Sequence, residues 1–161
     1  MDYGVFIMSN ETVLHTYADM VYKVAVRNTQ CIADAEDVFS DTFLAYYTKK
    51  PEFASEEHKK AWLLRVAINR ARNTHRAQKK ISELDERLPS QERSFEQIEL
   101  SLDLSEAMRR MQPEYREVLC LFYLQELSTK EIAEVLEKNE STVRTQLMRA
   151  REQLRGILET D

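Results

Sequence analysis

The sequence predicts an all-α protein: two small helical domains joined by a flexible acidic linker, the C-terminal one containing a helix-turn-helix. Three observations predict it. Glycine and proline are scarce, 2 and 3 in 161 residues, and they fall near the ends, in polar breaks or, for Pro113, where a helix would start, so nothing interrupts the segments between them. Apolar residues in those segments recur at three- and four-residue steps, the period of a helix with one buried face. Charge is segregated: Lys59 to Lys80 carries eight basic residues and no acidic one, whereas Ser82 to Asp103 carries seven acids against Arg87 and Arg93. The boundaries that follow are residues 1–80, a linker over 81–103, and residues 104–161.

The first helix spans Thr12 to about Gln30, with Leu14, Tyr17, Ala18, Val21, Val24 and Ala25 on its inner side. Asp34 is placed to cap the second, whose inner stripe is Ala35, Val38, Phe39, Thr42, Phe43 and Tyr46. Its outer side presents Glu36, Asp37, Ser40, Asp41 and Leu44. Thr48 to Glu57, polar and containing Pro51, reads as a loop. The third helix, about Lys59 to Gln78, is basic. At about 100° per residue, Arg65, Asn69, Arg72 and Arg76 share one narrow stripe flanked by Trp62 and Asn73, while Leu63, Leu64, Ala67 and Ala71 point into a core. The acidic segment, broken by Pro89 and Ser90, reads as a tether with a short helix around Phe95, Ile98 and Leu102.

In the C-terminal part, Ser128 and Glu131 have the spacing of a capping box ahead of Ile132, Ala133, Val135 and Leu136. After a polar break at Glu137-Lys138-Asn139, Asn139 is placed to cap a last helix with Val143, Leu147, Ala150 and Leu154 as its core stripe. The opposite face carries Ser141, Thr142, Arg144, Thr145 and Arg149, with Arg151 near its edge. Short hydroxyl side chains at a helix N-terminus approach phosphates and base edges, and arginines pair bidentately with guanine or clamp phosphate. This is the composition of a DNA-recognition helix, although an antiparallel helix pair with a solvated charged face would share it. The basic stripe of the third helix has the same two readings. Arginines there neutralise a backbone, asparagine hydrogen-bonds an exposed base, and Trp62 is either a stacking platform or a core aromatic.

Composition removes several classes. No Gly-rich phosphate loop or dinucleotide fingerprint is present, which argues against a nucleotide-hydrolysing enzyme. Cys31 and Cys120 form no CxxC pair, and His15, His58 and His75 have no ligand spacing with them, so no metal and no cofactor is expected. No apolar run approaches the roughly 20 residues of a membrane span, and no signal-peptide pattern begins the chain, so a cytoplasmic protein is expected. Net charge is −5, which taken alone argues against nucleic acid.

Four motifs in order carry a resemblance over nearly the whole chain: Asp34-Ala35-Glu36-Asp37-Val38-Phe39-Ser40-Asp41-Thr42-Phe43-Leu44, Ala61-Trp62-Leu63-Leu64-Arg65-Val66-Ala67-Ile68-Asn69-Arg70-Ala71, Pro113-Glu114-Tyr115-Arg116-Glu117-Val118-Leu119, and the helix-turn-helix. Their order and spacing resemble the bacterial extracytoplasmic-function RNA polymerase sigma factors of the sigma-70 family. The resemblance implies a non-enzymatic subunit that binds RNA polymerase core and directs promoter-specific initiation. It implies that Glu36, Asp37, Ser40, Asp41 and Leu44 dock on the clamp of the largest subunit. Trp62, Arg65, Asn69, Arg72, Asn73 and Arg76, with the loop before them, would capture and hold the minus-ten strand. Ser141, Thr142, Arg144, Thr145 and Arg149 would read the minus-thirty-five element. The polymerase flap and an anti-sigma factor are further implied partners, without insertion into a membrane.

The sequence departs from the family where glycine is usual: Glu126 precedes the Ser128 helix and Glu137 lies between the last two helices, with Lys138 replacing a usual apolar residue. A left-handed non-glycine residue costs about 1 kcal/mol, so either these turns avoid that geometry or the domain is less stable than its relatives. Two other classes compete with a sigma subunit. A helix-turn-helix regulator leaves the first two motifs unexplained. An enzyme acting on nucleic acid needs clustered carboxylates or a metal site. The acidic linker, tethered beside two basic surfaces, also leads to the expectation that the isolated chain binds promoter DNA poorly.

Overall fold

A computed structural model of the chain describes residues 3–84 and 102–160, with side chains described over 12–77 and 104–160. The acidic segment at 85–101, including the short helix expected around Phe95 and Ile98, lies outside the described residues. The described chain is helical, without a strand: α1 Tyr3–Arg27, α2 Ile32–Lys49, α3 Glu56–Leu84, α4 Leu102–Arg110, α5 Pro113–Leu119, α6 Thr129–Leu136 and α7 Glu140–Thr160. Between α5 and α6, Cys120–Leu124 form one wide π-type turn, closed by Gln125 N–H donating to Cys120 O.

Helices α1, α2 and α3 pack on one another as one unit, and α4 to α7 form a second around α7. The first is held by Val21, Val24, Ala25, Ala35, Val38, Phe43, Leu63, Leu64, Ala67 and Ile68, all buried. The second is held by Val118, Leu121, Ile132, Val135, Val143, Leu147 and Ala150. The units are not apart. Helix α3 packs against α6 and α1 against α4, and the buried side chains of both belong to one continuous cluster.

Several helix ends differ from those the sequence suggests, each for a local reason. Helix α2 starts at Ile32 behind an extended Cys31, which places Asp34 in its first turn instead of at its cap. The loop before α3 is shorter than Thr48 to Glu57, because α2 runs to Lys49 and α3 begins at Glu56. Ser55 Oγ there accepts from His58 N–H (3.2 Å), an N-terminal cap. The loop is also less polar than its composition: Phe53 packs against Tyr46 and Trp62. Helix α3 continues to Leu84, past the expected linker boundary.

The capping box forms as expected, Glu131 N–H donating to Ser128 Oγ (3.1 Å) and Ser128 N–H to Glu131 Oε1 (3.2 Å). Both turns that lack glycine adopt the left-handed geometry, with φ 54° at Glu126 and at Glu137. The hydrogen bonds explain why the cost is accepted. Lys138 N–H donates to Ala133 O (3.0 Å) and Leu127 N–H to Leu121 O (3.1 Å), closing helix ends whose last carbonyls would otherwise lack a donor.

Candidate nucleic-acid and polymerase interfaces

The outer face of α2 is the simplest surface. Glu36, Asp37, Ser40 and Asp41 are exposed, and Leu44 is 62% exposed. Ala35, Val38, Thr42 and Phe43 on the opposite side are buried, so the helix is anchored by one face and leaves the other unused by the fold. An exposed leucine among carboxylates suits a basic helical partner with some apolar area.

The recognition face of α7 is equally clear. Asn139 stands at the N-cap position, Val143, Leu147 and Ala150 are buried, and Ser141, Thr142, Arg144, Thr145 and Arg149 are all exposed. Within this face, Arg144 Nη2 donates to Glu140 Oε1 (2.7 Å), which also accepts from Thr129 Oγ1 (3.0 Å). Glu140 thus ties the start of α7 to the start of α6 and orients the Arg144 fork. Arg151 is diverted from the face: its Nε donates to Tyr123 OH (2.7 Å), and its guanidinium lies over the Phe122 and Tyr123 rings.

The stripe on α3 is where sequence reasoning was least complete. Asn69, Asn73 and Arg76 are exposed. Trp62 is half-buried and edge-on to both Tyr46 and Phe53, so in this structure its ring anchors the loop. Arg65 and Arg72 share the stripe with Asn69 as expected, yet both reach the other unit. Arg65 Nη2 donates to Glu134 O (2.6 Å) and Nε to Val135 O (3.1 Å), while Nη1 lies 3.5 Å from Glu137 Oε1. A cation at the negative end of α6 is electrostatically favoured, and its contact with Glu137 falls on the left-handed residue itself. Arg72 forms a bidentate pair with Glu117, Nε to Oε1 at 2.8 Å and Nη2 to Oε2 at 2.6 Å.

Glu117 is a functional-looking residue that sequence reasoning passed over as part of a motif. It is 2% exposed, as is its neighbour Arg116. The Arg72 guanidinium is held charged, its pKa raised chiefly by the hydrogen bonds to Glu117. Arg116 is shifted down by burial, and its Nε donates only a long bond to Asn28 Oδ1 (3.4 Å). Arg27 is likewise lowered by burial; its Nη1 donates to Ser105 Oγ (3.3 Å), and its buried Nε meets no acceptor among the described residues. Breaking one side of a buried Arg–carboxylate pair costs about 3–5 kcal/mol. Glu117 is the buried partner of the pair and Arg72 the partly exposed one, so loss of the guanidinium would leave a buried carboxylate without its cation.

Among the described residues no group of three or more His, Cys, Asp or Glu is placed to hold a metal, and no helix is long and apolar enough to cross a membrane. Cys120 is fully buried, which pushes its thiol up to about 11.

With this geometry in place, comparison with known proteins is informative. The family descriptions "Sigma-70 region 2" and "Sigma-70, region 4" match residues 13–81 and 101–154. The RNA polymerase sigma-E factor of Streptomyces antibioticus is 30% identical, over 96% of this chain and 87% of that protein. The ECF RNA polymerase sigma factor SigW of Bacillus subtilis is 28% identical, over 91% of this chain and 87% of that protein. In fold, the chain is similar to the sigma factor RpoE of Bartonella quintana, solved in complex with the anti-sigma factor NepR: TM-score 0.75 at 20% identity, covering 94% and 97% of the two chains. CnrH, solved with the cytosolic domain of CnrY, has TM-score 0.71 at 21% identity, covering 96% and 90%.

Proposed function

Because this chain belongs to the sigma-70 family, as an extracytoplasmic-function RNA polymerase sigma factor, we propose a specific division of labour among its surfaces. The protein binds RNA polymerase core and directs promoter-specific transcription initiation. Residues 1–80 act as the core-binding and minus-ten domain, residues 104–161 as the minus-thirty-five domain, and residues 81–103 connect them. The α2 face of Glu36, Asp37, Ser40, Asp41 and Leu44 docks on the largest-subunit clamp. The Lys50–Ser55 loop and Asn69 capture an unstacked non-template base. Arg65, Arg72 and Arg76 hold the adjacent backbone, with Trp62 and Asn73 beside them. The α7 face of Ser141, Thr142, Arg144, Thr145 and Arg149 enters the major groove at the minus-thirty-five element.

The flap and an anti-sigma factor complete the expected partners. A cleft of about 650 Å³ beside α7, lined by Leu104, Met108, Leu119, Leu154 and Leu158 together with Arg151, Arg155 and Glu159, suits the apolar face of an amphipathic helix. The proteins it resembles are sigma subunits, which supports a non-enzymatic role in the bacterial cytoplasm.

One observation carries the reading: α2 exposes Glu36, Asp37, Ser40, Asp41 and Leu44, α3 exposes Asn69, Asn73 and Arg76, and α7 exposes Ser141, Thr142, Arg144, Thr145 and Arg149, the residue types that a basic helical partner, an unstacked strand and a duplex groove each require, while the opposite side of each of these helices is core. The test is transcription from fragmented genomic DNA by polymerase core with and without this chain, followed by sequencing of transcript 5′ ends. Starts that appear only with the chain and share two spaced upstream elements are expected. An unchanged set of starts would overturn the assignment.

A further inference from the structure

The recognition face of α7 carries two arginines, and the structure treats them differently. Arg149 is exposed and makes no hydrogen bond or ion pair among the described residues. Arg144 is held: its Nη2 donates to Glu140 Oε1 at 2.7 Å, one turn back toward the start of α7. The same oxygen accepts from Thr129 Oγ1 at 3.0 Å, and Thr129 is the first residue of α6.

The Arg144–Glu140 pair does little for stability. Its side chains are 65% and 38% exposed, and exposed pairs four residues apart on a helix are weakened by water and salt. Its effect is on geometry. A free arginine samples many rotamers, whereas a bidentate bond to a base edge needs one of them. A fork already in place avoids the cost of ordering it on binding. Glu140 can impose that choice because its carboxylate is itself fixed from a second helix, by the Thr129 hydroxyl. Thr129 in turn follows directly on the Ser128–Glu131 capping box. A line of contacts thus runs from a capped backbone through a hydroxyl and a carboxylate to a guanidinium.

We infer that Glu140, anchored by Thr129, is a positioning residue for promoter specificity: it aims the Arg144 guanidinium at one base pair of the minus-thirty-five element without touching that base pair itself. This rests on the functional reading above and adds to it the residues that set how sharply one position is read. Glu140 is also a negative charge on a DNA-directed face, which opposes binding to every sequence alike. Aiming Arg144 acts instead on the difference between sequences. The two effects have separate signatures.

The test uses polymerase core with the full-length chain and a duplex carrying the minus-thirty-five element of a promoter found with the wild-type protein, together with every single base-pair substitution of that element. Competition binding gives the preference at each position. Arg144→Ala marks the base pair that Arg144 reads. Glu140→Ala removes the aim, Thr129→Val removes only the anchoring hydroxyl at similar shape, and Thr129→Ser restores it. Thermal melting of each free chain reports its folding.

Arg144→Ala is expected to flatten the preference at one base pair by about tenfold, within the range of a bidentate contact. Glu140→Ala should flatten it at the same base pair by roughly threefold or more, and Thr129→Val by about twofold, as partial losses of that contact. Overall affinity of Glu140→Ala should be equal or tighter, and Thr129→Ser should show the wild-type profile. An unchanged profile in Glu140→Ala, or a change equal for all sequences, overturns the inference. Altered preference at a different base pair would make Glu140 a direct reader, as a carboxylate accepting from cytosine is, and overturns it too. If Arg144→Ala weakens every sequence equally, Arg144 holds phosphate and there is nothing to aim. Should Glu140→Ala fail to fold, a Thr129→Val profile identical to wild type overturns the positioning role. Failure of the functional reading would show elsewhere, as absence of chain-dependent transcripts from the wild-type protein.

Discussion

Replacing Asn69 by alanine separates the base-capture role from everything else α3 does. Asn69 is exposed, and its one described side-chain contact is Oδ1 at 3.5 Å from Arg72 Nη1, too long to contribute much as a hydrogen bond. Arg72 keeps both bonds to Glu117 without it. The fold should therefore change by no more than about 0.5 kcal/mol, and in the favourable direction if alanine's helix propensity prevails. If the amide captures an unstacked base, its loss removes an interaction of about 1–3 kcal/mol, which is roughly 5–150-fold in open-complex formation. Binding through α7 to a minus-thirty-five duplex should be nearly unaffected, because that face lies on the other unit. Permanganate footprinting of the melted bubble on any promoter found with the wild-type holoenzyme, with thermal melting as a fold control, measures both halves of the claim. Identical footprints and rates for a folded Asn69→Ala protein would refute base capture by this residue.

Three further outcomes follow from the structure. Asp37→Lys, on the exposed face of α2, should weaken association with polymerase core by roughly tenfold, about 1.4 kcal/mol, at unchanged melting temperature; unchanged core affinity would remove this face from the interface. Glu126→Gly, at φ 54°, should raise stability by about 0.5–1 kcal/mol once the left-handed penalty is set against glycine's extra unfolded-state entropy, and a lower urea midpoint would contradict that. The third concerns Tyr17, whose hydroxyl donates to Glu56 Oε2 at 2.6 Å; burial, then this bond, pushes Tyr17 up to about 12 from its ordinary 10.0. The neutral phenol is the stabilised form, so its contribution is complete below pH 10 and is lost as pH rises through 12. Urea midpoints of wild type should therefore fall more steeply over that window than those of Tyr17→Phe, and parallel profiles would show that the bond contributes nothing.

The sequence is most legible where the determining interactions are local. The inner stripe of α3, the capping box at Ser128 and Glu131, and the exposed residues of α7 each depend on neighbours within four positions, and each is found as read. The Ser55 cap was equally local and was available from Ser55-Glu56-Glu57 preceding the basic helix. What escaped reading depends on distant partners. Arg65 and Arg72 meet residues 70 and 45 positions away, and no periodicity within α3 distinguishes a guanidinium waiting for phosphate from one already paired. Glu117 borders the apolar run Val118-Leu119-Cys120-Leu121-Phe122 and is itself buried, which a carboxylate tolerates only where a cation meets it. With Glu114 and Arg116 near it in sequence, Glu117 reads as one more charge on a solvated turn, so its burial was not legible. The left-handed Glu126 and Glu137 show the reverse case. Local preference opposes their geometry, and the hydrogen bonds closing the ends of their helices outweigh it.

The net charge of −5 and the DNA-directed surfaces are compatible because charge acts locally. At physiological salt, exposed charges more than about 8 Å apart are largely screened, so a DNA strand responds mainly to the charges beside it and not to the sum over the chain. Arg72 is bound by the carboxylate of Glu117 in this structure and, in the proposed function, holds a phosphate when DNA is bound. The two uses oppose each other energetically. An Arg72→Ala chain would lose a DNA contact and the pair with Glu117 at the same time, and its activity would report both. A change on the carboxylate side, Glu117, which has no role on DNA in the proposed function, separates the packing around this pair from recognition.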